Sequence, residues 1–274
     1  HGLRSGCAGV TFSTATSVAG RGDGSYTAEI EPGWDIFGVT NGGYLLAMTA
    51  RAMGAETPGR RLASVSARFV NPSRGGSAII LTESLKTGRT ISIIQARTLS
   101  GDRPLLTSHA SFVDEGTERP AFTSSYASPP DLPPVEDCVR LMPAVDGPLP
   151  PPFTSKVEVQ LHPDDAKLDQ GQPGRMPEIR GWLRLMEGEL FDPYGIVLAS
   201  DAMPPAIFNS GLPLGWTPTI DLTVHVRDPG PHEWLACRFY TRFITGGWLE
   251  EDGEIWDREG NLVAQSRQLA LVPR

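Results

Sequence analysis

The chain has 274 residues, of which 39% are hydrophobic and 20% charged, enough apolar material for real cores and a length that favours two domains over one. Its formal net charge of -8 comes without clustered Lys and Arg, which excludes a general nucleic-acid binder because phosphate contacts need such clusters. Cys7, Cys138 and Cys237 are odd in number, far apart and without C-x-x-C spacing; this excludes a disulfide framework and a cysteine zinc site, and the three read as inert thiols.

No charged-then-apolar leader opens the chain and no apolar run of about 18 residues occurs, so the expectation is a cytoplasmic protein without a membrane span. His1 to Gly6 starts without Met and reads as an expression remnant outside the fold.

In chain order, residues 11–18 and 25–30 read as short strands separated by the glycine-rich turn at residues 20–24, and residues 32–38 as a further turn. Residues 41–55 follow as a helix that is apolar nearly all round. Tyr44, Leu45, Met48 and Ala52 recur at helical spacing, Leu46, Ala47, Ala50 and Met53 fill most of the rest, and Arg51 is the only charge. Such a helix belongs inside a core. Residues 62–70 then alternate, Val65, Ala67 and Phe69 against Ser64, Ser66 and Arg68, and Asn71-Pro72 ends the run. Residues 78–86, 90–99 and 105–113, parted by turns at Gly88 and Gly101, complete an antiparallel meander.

Ten of the 25 prolines lie between Pro120 and Pro152. Residues 116–155 therefore read as an extended surface linker between a unit at residues 10–115 and one at residues 156–274. The second unit repeats the first: strands at residues 156–161 and 179–185, an apolar helical stretch at residues 193–209, a strand at residues 219–226 and three strands after the helix region. Pro229, Gly246 and Gly260 punctuate it at nearly the intervals of Pro72, Gly88 and Gly101, which suggests an internal duplication. Each half is an α+β unit in which an antiparallel sheet wraps a central helix, a pattern that matches a hotdog fold, and two in tandem make a double hotdog.

The chain lacks a G-x-S-x-G elbow, a G-x-x-x-x-G-K-[ST] loop, an H-E-x-x-H pair and a usable G-x-G-x-x-G. His109, His162 and His232 form no triad or ligand pattern. Asp201 stands out as the only charge between Gly195 and Phe208. A carboxylate among Ile196, Val197, Leu198 and Ile207 is costly without donors and has its pKa raised, as catalytic acids often do. A helix cap before Pro204-Pro205 is the competing reading. Gln268 alternates with Leu262, Ala264, Ser266, Ala270 and Val272 on an apolar or small face, where a buried amide needs partners; it is either a satisfied core glutamine or a site residue. Thr219 opens its strand and by strict alternation shares the polar face with Asp221, Thr223 and His225, as a solvent-facing residue would.

Trp34-Asp35-Ile36-Phe37-Gly38 followed by Asn41-Gly42-Gly43-Tyr44, then Ser200-Asp201-Ala202, Thr219-Ile220-Asp221 and the terminal Leu262 to Gln268 segment together resemble the double-hotdog acyl-CoA thioesterases of the thioesterase II type, over nearly the whole chain from about Thr11. The resemblance implies an Asp on the second hotdog helix, a Thr beginning the next strand and a Gln on the last strand that hold and activate a water, at Asp201, Thr219 and Gln268 here. Asn41, Gly42, Gly43 and Tyr44 would contact substrate, with a backbone N–H at the start of the first helix polarising the thioester carbonyl. Pro204-Pro205 departs from the pattern by threatening to bend the helix, which leaves Asp221 as a spare base.

The implied reaction is general-base hydrolysis of a fatty acyl-CoA without cofactor or metal. Arg68, Arg74 or Arg89 would meet the CoA phosphates, and the hotdog sheets leave room for a homo-oligomer. The alternatives are a non-catalytic acyl-CoA or lipid binder and, less favoured for want of a His beside Asn41 or Asp201, a hotdog hydratase or dehydratase.

Overall fold

The structure, a computed structural model, describes residues 10–114, 124–167 and 176–273; the expected remnant at His1 to Gly6 and Cys7 lie outside them. The first half contains α1 (Phe12–Ala15), β1 (Ala19–Gly20), β2 (Ser25–Ile30), the hairpin β3 (Asp35–Ile36) and β4 (Val39–Thr40), α2 (Gly42–Ala55), and the meander β5 (Arg60–Phe69), β6 (Gly76–Thr87), β7 (Ile91–Ser100) and β8 (Arg103–Asp114). After β9 (Val139–Arg140), the second half runs β10 (Val157–Leu161), β11 (Glu178–Leu185), α3 (Pro193–Ala199), β12 (Thr219–Val226), β13 (Leu235–Tyr240), β14 (Ile244–Thr245), β15 (Trp248–Trp256) and β16 (Leu262–Leu271).

Apart from the separate β3–β4 hairpin, the described strands form one sheet in the order β1-β2-β6-β7-β8-β5-β12-β16-β15-β13-β11-β10-β9, with β14 on β15. The halves are joined by antiparallel pairing of β5 with β12, Val224 opposite Val65. Counting outward from that seam, β5-β8-β7-β6-β2 on one side mirrors β12-β16-β15-β13-β11 on the other. Each helix falls between the corresponding strands of the chain, so the architecture is a double hotdog, α+β, with its two sheets fused edge to edge.

The helix α2 is wrapped as its sequence requires. Asn41 caps it, its Oδ1 accepting the Tyr44 N–H at 2.8 Å, and Gly43 to Ala50, Ala52 and Met53 are buried. Each large apolar side chain buried this way contributes about 1.5–3 kcal/mol. Tyr44 stacks on Trp34 with ring centroids 4.8 Å apart. The helix α3 is capped by Asp192, which accepts the N–H groups of Tyr194 and Gly195 at 3.0 and 2.7 Å, and Pro193 suits its first position. The two helices lie antiparallel: Gly43 backs onto Leu198 and Asp201, while Gly54 backs onto Tyr194.

Arg51 locks this pair. Its guanidinium reaches Asp192 at 2.8 Å and Thr16 at 2.7 Å and lies 4.6 Å from the centre of the Tyr194 ring. Arg51→Met is expected to destabilise the protein by about 1–3 kcal/mol, because a charge-assisted bond and a ring contact are lost together; urea denaturation measures this, and an unchanged midpoint would contradict it.

Three expectations are corrected. Residues 11–18 hold the helix α1 rather than a strand, because Thr11 caps it and the distant Glu189 carboxylate accepts the N–H groups of Phe12 and Ser13. The apolar stretch at residues 193–209 is not one helix: α3 ends at Ala199, Pro204-Pro205 supply no donors, and a 3-10 turn follows at Ala206–Ser210. The described part of the proline-rich segment, from residue 124, does not all lie on the surface, since β9 pairs with β10 and Phe153 is 1% exposed.

Candidate active site

Where α2, α3 and the start of β12 meet, the fold forms a cavity of about 520 Å³. Its walls are mainly apolar: Leu45 and Phe69 from the first half, Phe153 from the proline-rich segment, and Met203, Phe208 and Phe239 from the second. Its polar lining includes Asn41, Asp201, Thr219, Glu251 and Gln268. Phe37 and Trp216, also lining it, meet edge to face at 6.4 Å. Phe37 has a φ of 53°, a left-handed conformation that costs a non-glycine residue about 1–2 kcal/mol and is held by the tight β3–β4 turn.

Asp201 lies one residue beyond the C-cap of α3, with its N–H donating to Leu198 O at 3.0 Å. Its carboxylate points at the start of α2. Oδ2 accepts the Gly43 N–H at 2.8 Å and the Asn41 side-chain N–H at 3.1 Å, and Asn41 also donates to the Asp201 carbonyl at 2.8 Å. The helix N-terminus supplies the donors that make a buried carboxylate tolerable. Burial nevertheless wins: it pushes the Asp201 pKa up to about 6, against the opposing pull of Gly43, Gly42 and Asn41. One of the helix-start N–H groups, that of Gly43, is therefore already engaged by Asp201.

Thr219 reaches the interior through an irregularity in its strand. Between Thr219 and Asp221 the register against β16 slips, so that Thr219 faces Ala270 while Asp221 faces Leu269. A one-residue slip moves a side chain to the opposite face, so Thr219 leaves the outward row that alternation gave it. Its hydroxyl donates to Gln268 Oε1 at 2.9 Å. Gln268, 7% exposed, in turn donates its amide to Glu251 Oε1 at 2.6 Å, and the other Glu251 oxygen accepts the Ala206 N–H at 2.5 Å. Burial pushes the Glu251 pKa up to about 7; Ala206 and Gln268 oppose this, while the charges of Asp201 and Asp252 add to it.

Glu251 is the residue that sequence reasoning missed, hidden in the run Glu250-Glu251-Asp252. Its signal was period two: it shares a face of β15 with the buried Leu249, Gly253 and Ile255. Of the remaining expected site residues, Asn41 and Gly42 line the cavity, whereas Gly43 and Tyr44 are not among its lining. Tyr44 is fully buried, its hydroxyl donating to Ala15 O at 2.8 Å and accepting the Glu31 N–H at 3.2 Å, so its side chain supports the fold. Asp221 forms an ion pair with Arg68 on the outward face and does not line the cavity, which removes it as a spare base. Arg68 and Arg74 flank cavity residues Phe69 and Ser73, while the exposed Arg89 sits at the β6–β7 turn. Among the described residues, Asp228, His232 and Asp257 hold possible metal-ligand atoms within 4.8 Å of one another, but none of them lines the cavity. No helix of the described residues is long and apolar enough to cross a membrane.

Comparison with known proteins matches the chain to one family. The acyl-CoA thioesterase N-terminal domain family matches residues 30–113 and the corresponding C-terminal domain family residues 130–272. A solved structure of a provisional thioesterase II from Thermobifida fusca is 34% identical, covering 96% of this chain and 97% of its own with a TM-score of 0.86. An acyl-CoA thioesterase II from Mycobacterium marinum shares the fold at 16% identity and a TM-score of 0.74, covering 96% of this chain and 98% of its own. An uncharacterised protein of Mycobacterium tuberculosis is 26% identical over 90% of this chain and 91% of its own. With both domain families matched in order along the chain, and a 34% identical relative covering nearly all of it, the protein belongs to the acyl-CoA thioesterase family.

Proposed function

We propose that the protein hydrolyses a fatty acyl-CoA thioester to the free acid and CoA, with Asp201 as general base and Thr219 and Gln268 as the groups that hold the attacking water. The observation that carries this reading is the raised, donor-held carboxylate of Asp201 on the same cavity as the Thr219–Gln268 pair. The ionised carboxylate takes a proton as the water oxygen bonds to the thioester carbon. The tetrahedral intermediate then breaks its C–S bond, and the proton held by Asp201 passes to the departing thiolate. The apolar walls accommodate the acyl chain, each buried methylene contributing about 0.8 kcal/mol. Arg74, beside the cavity residue Ser73, meets the anionic CoA despite the acidic whole. The described cavity residues include no histidine, which disfavours the hydratase alternative.

Thiol release from a panel of acyl-CoAs of different chain length tests the proposal: turnover of at least one is expected, and tight binding without release across the panel would favour the binder. The pH dependence gives a second test. The base must be ionised and its pKa is about 6, so kcat/KM is expected to fall steeply below about pH 6. A profile still flat at about pH 4 would contradict the assignment.

A further inference from the structure

The chain Thr219–Gln268–Glu251 has a direction, and only one of its members can set it. A threonine hydroxyl donates or accepts, and a glutamine amide presents either end. Glu251 is different. One of its oxygens is committed to the Ala206 N–H, the other is 2.6 Å from the Gln268 amide nitrogen, and an ionised carboxylate only accepts. With Glu251 ionised, the Gln268 amide must turn its NH2 toward Glu251 and its oxygen toward Thr219. The Thr219 hydroxyl must then spend its hydrogen on Gln268, which leaves its lone pairs, and the second N–H of Gln268, on the cavity side.

We infer that Glu251 is a positioning residue that fixes the polarity of the Gln268–Thr219 pair, so that Thr219 accepts a hydrogen from the reacting water rather than donating one to it. This rests on the hydrolytic reading of the cavity given above. It accounts for a second buried carboxylate beside Asp201, an arrangement that costs stability through burial and like-charge repulsion and that ordinary core packing would avoid. It also explains the orientation of both Glu251 oxygens, since the backbone of the turn after Pro205 holds one and leaves the other for Gln268 alone.

The reversal can be made by one substitution. In Glu251→Gln the Ala206 N–H still requires an acceptor, so the new amide presents its NH2 to Gln268. Gln268 flips, and Thr219 becomes an acceptor from Gln268 that donates outward. Thr219→Val removes the hydroxyl whose polarity Glu251 sets, and combining it with Glu251→Gln asks whether Glu251 acts through that hydroxyl. Acyl-CoA hydrolysis is measured at pH 8, above the value of about 7 for Glu251, beside Asp201→Asn and with thermal melting of each variant. The single Glu251→Gln variant is expected to lose about tenfold to a hundredfold in kcat with KM little changed, and Thr219→Val to cost far less kcat in the Glu251→Gln background than in the wild type. Wild-type kcat in Glu251→Gln, or losses from the two substitutions that multiply in full, would overturn the inference. If Glu251→Gln fails to fold, Glu251→Asp decides alone, since its carboxylate still only accepts: kcat near wild type supports the polarity, and a folded variant with a loss as large as that of Thr219→Val refutes it. A wild type that turns over no acyl-CoA would instead defeat the hydrolytic reading; an active wild type with an inactive Asp201→Asn and an unaffected Glu251→Gln defeats only this one.

Discussion

Asp201→Asn is expected to lower kcat by about a thousandfold while raising stability at alkaline pH. The rate loss follows from removing the carboxylate assigned to take a proton from the water, since both oxygens of Glu251, the other cavity carboxylate named above, are engaged by Ala206 and Gln268. The stability gain follows from the direction of the pKa shift. The folded value is raised to about 6 from an ordinary 3.8, so the contribution of this group is fully present below about pH 4 and is lost as pH rises through about 6. Two units correspond to about 3 kcal/mol, a strain that the neutral amide relieves, since its oxygen in the place of Oδ2 can still accept from both Gly43 and Asn41. Melting at pH 8 is therefore expected to rise by a few degrees relative to wild type and at pH 4 to show no such gain. A variant that keeps its rate, or that melts lower at pH 8 than at pH 4 relative to wild type, contradicts the role assigned to this carboxylate.

Gly43→Ala is expected to damage fold and activity together. A Cβ at this position would lie 2.8 Å from the Asp201 Cβ, 3.0 Å from the Leu198 carbonyl and 3.3 Å from Asn41 Oδ1. The first two belong to the segment that closes α3, which is not a flexible side-chain end that can swing away. Overpacking of this kind costs about 1–3 kcal/mol, and the relief available is to push α3 off the start of α2, carrying Asp201 from its donors. Chemical denaturation is expected to show the destabilisation, and the folded variant to lose kcat more than it gains in KM. Full activity in a destabilised Gly43→Ala protein would mean that the close approach of the helices serves packing alone.

The sequence made the helix α2 legible because its apolar residues run nearly all round, and the meanders because their strands alternate between glycine and proline turns. What it could not show was set by distant partners. Residues 11–18 have a strand's composition, yet Glu189, far along the chain, supplies the acceptors that end them as a helix. The proline-rich segment has no periodicity, so nothing marked Phe153 as a cavity wall. At the site, Asp201 was visible as a lone charge in an apolar run, but its helix stops two residues short of it. Gln268 was visible on the small face of β16. Thr219 was not, because alternation assumes an unbroken strand and the slip at Asp221 reverses its face. Glu251 was concealed by acidic neighbours whose charges are met elsewhere, Asp252 by Arg267 and Arg242 and Glu250 by Arg242.

The claim that Asp201 activates a water and does not itself attack is tested most directly by one turnover in heavy-oxygen water, with enzyme in excess over acyl-CoA. Direct attack by water places the heavy oxygen in the carboxylate of the released acid during that first turnover and leaves the peptide containing Asp201 at its unlabelled mass, which is the expected result. Attack by the Asp201 carboxylate would form a mixed anhydride, seen as an acyl mass on that peptide when the turnover is acid-quenched before completion or, if water opens the anhydride at the Asp201 carbonyl, as heavy oxygen left in the peptide, and either outcome would contradict the account.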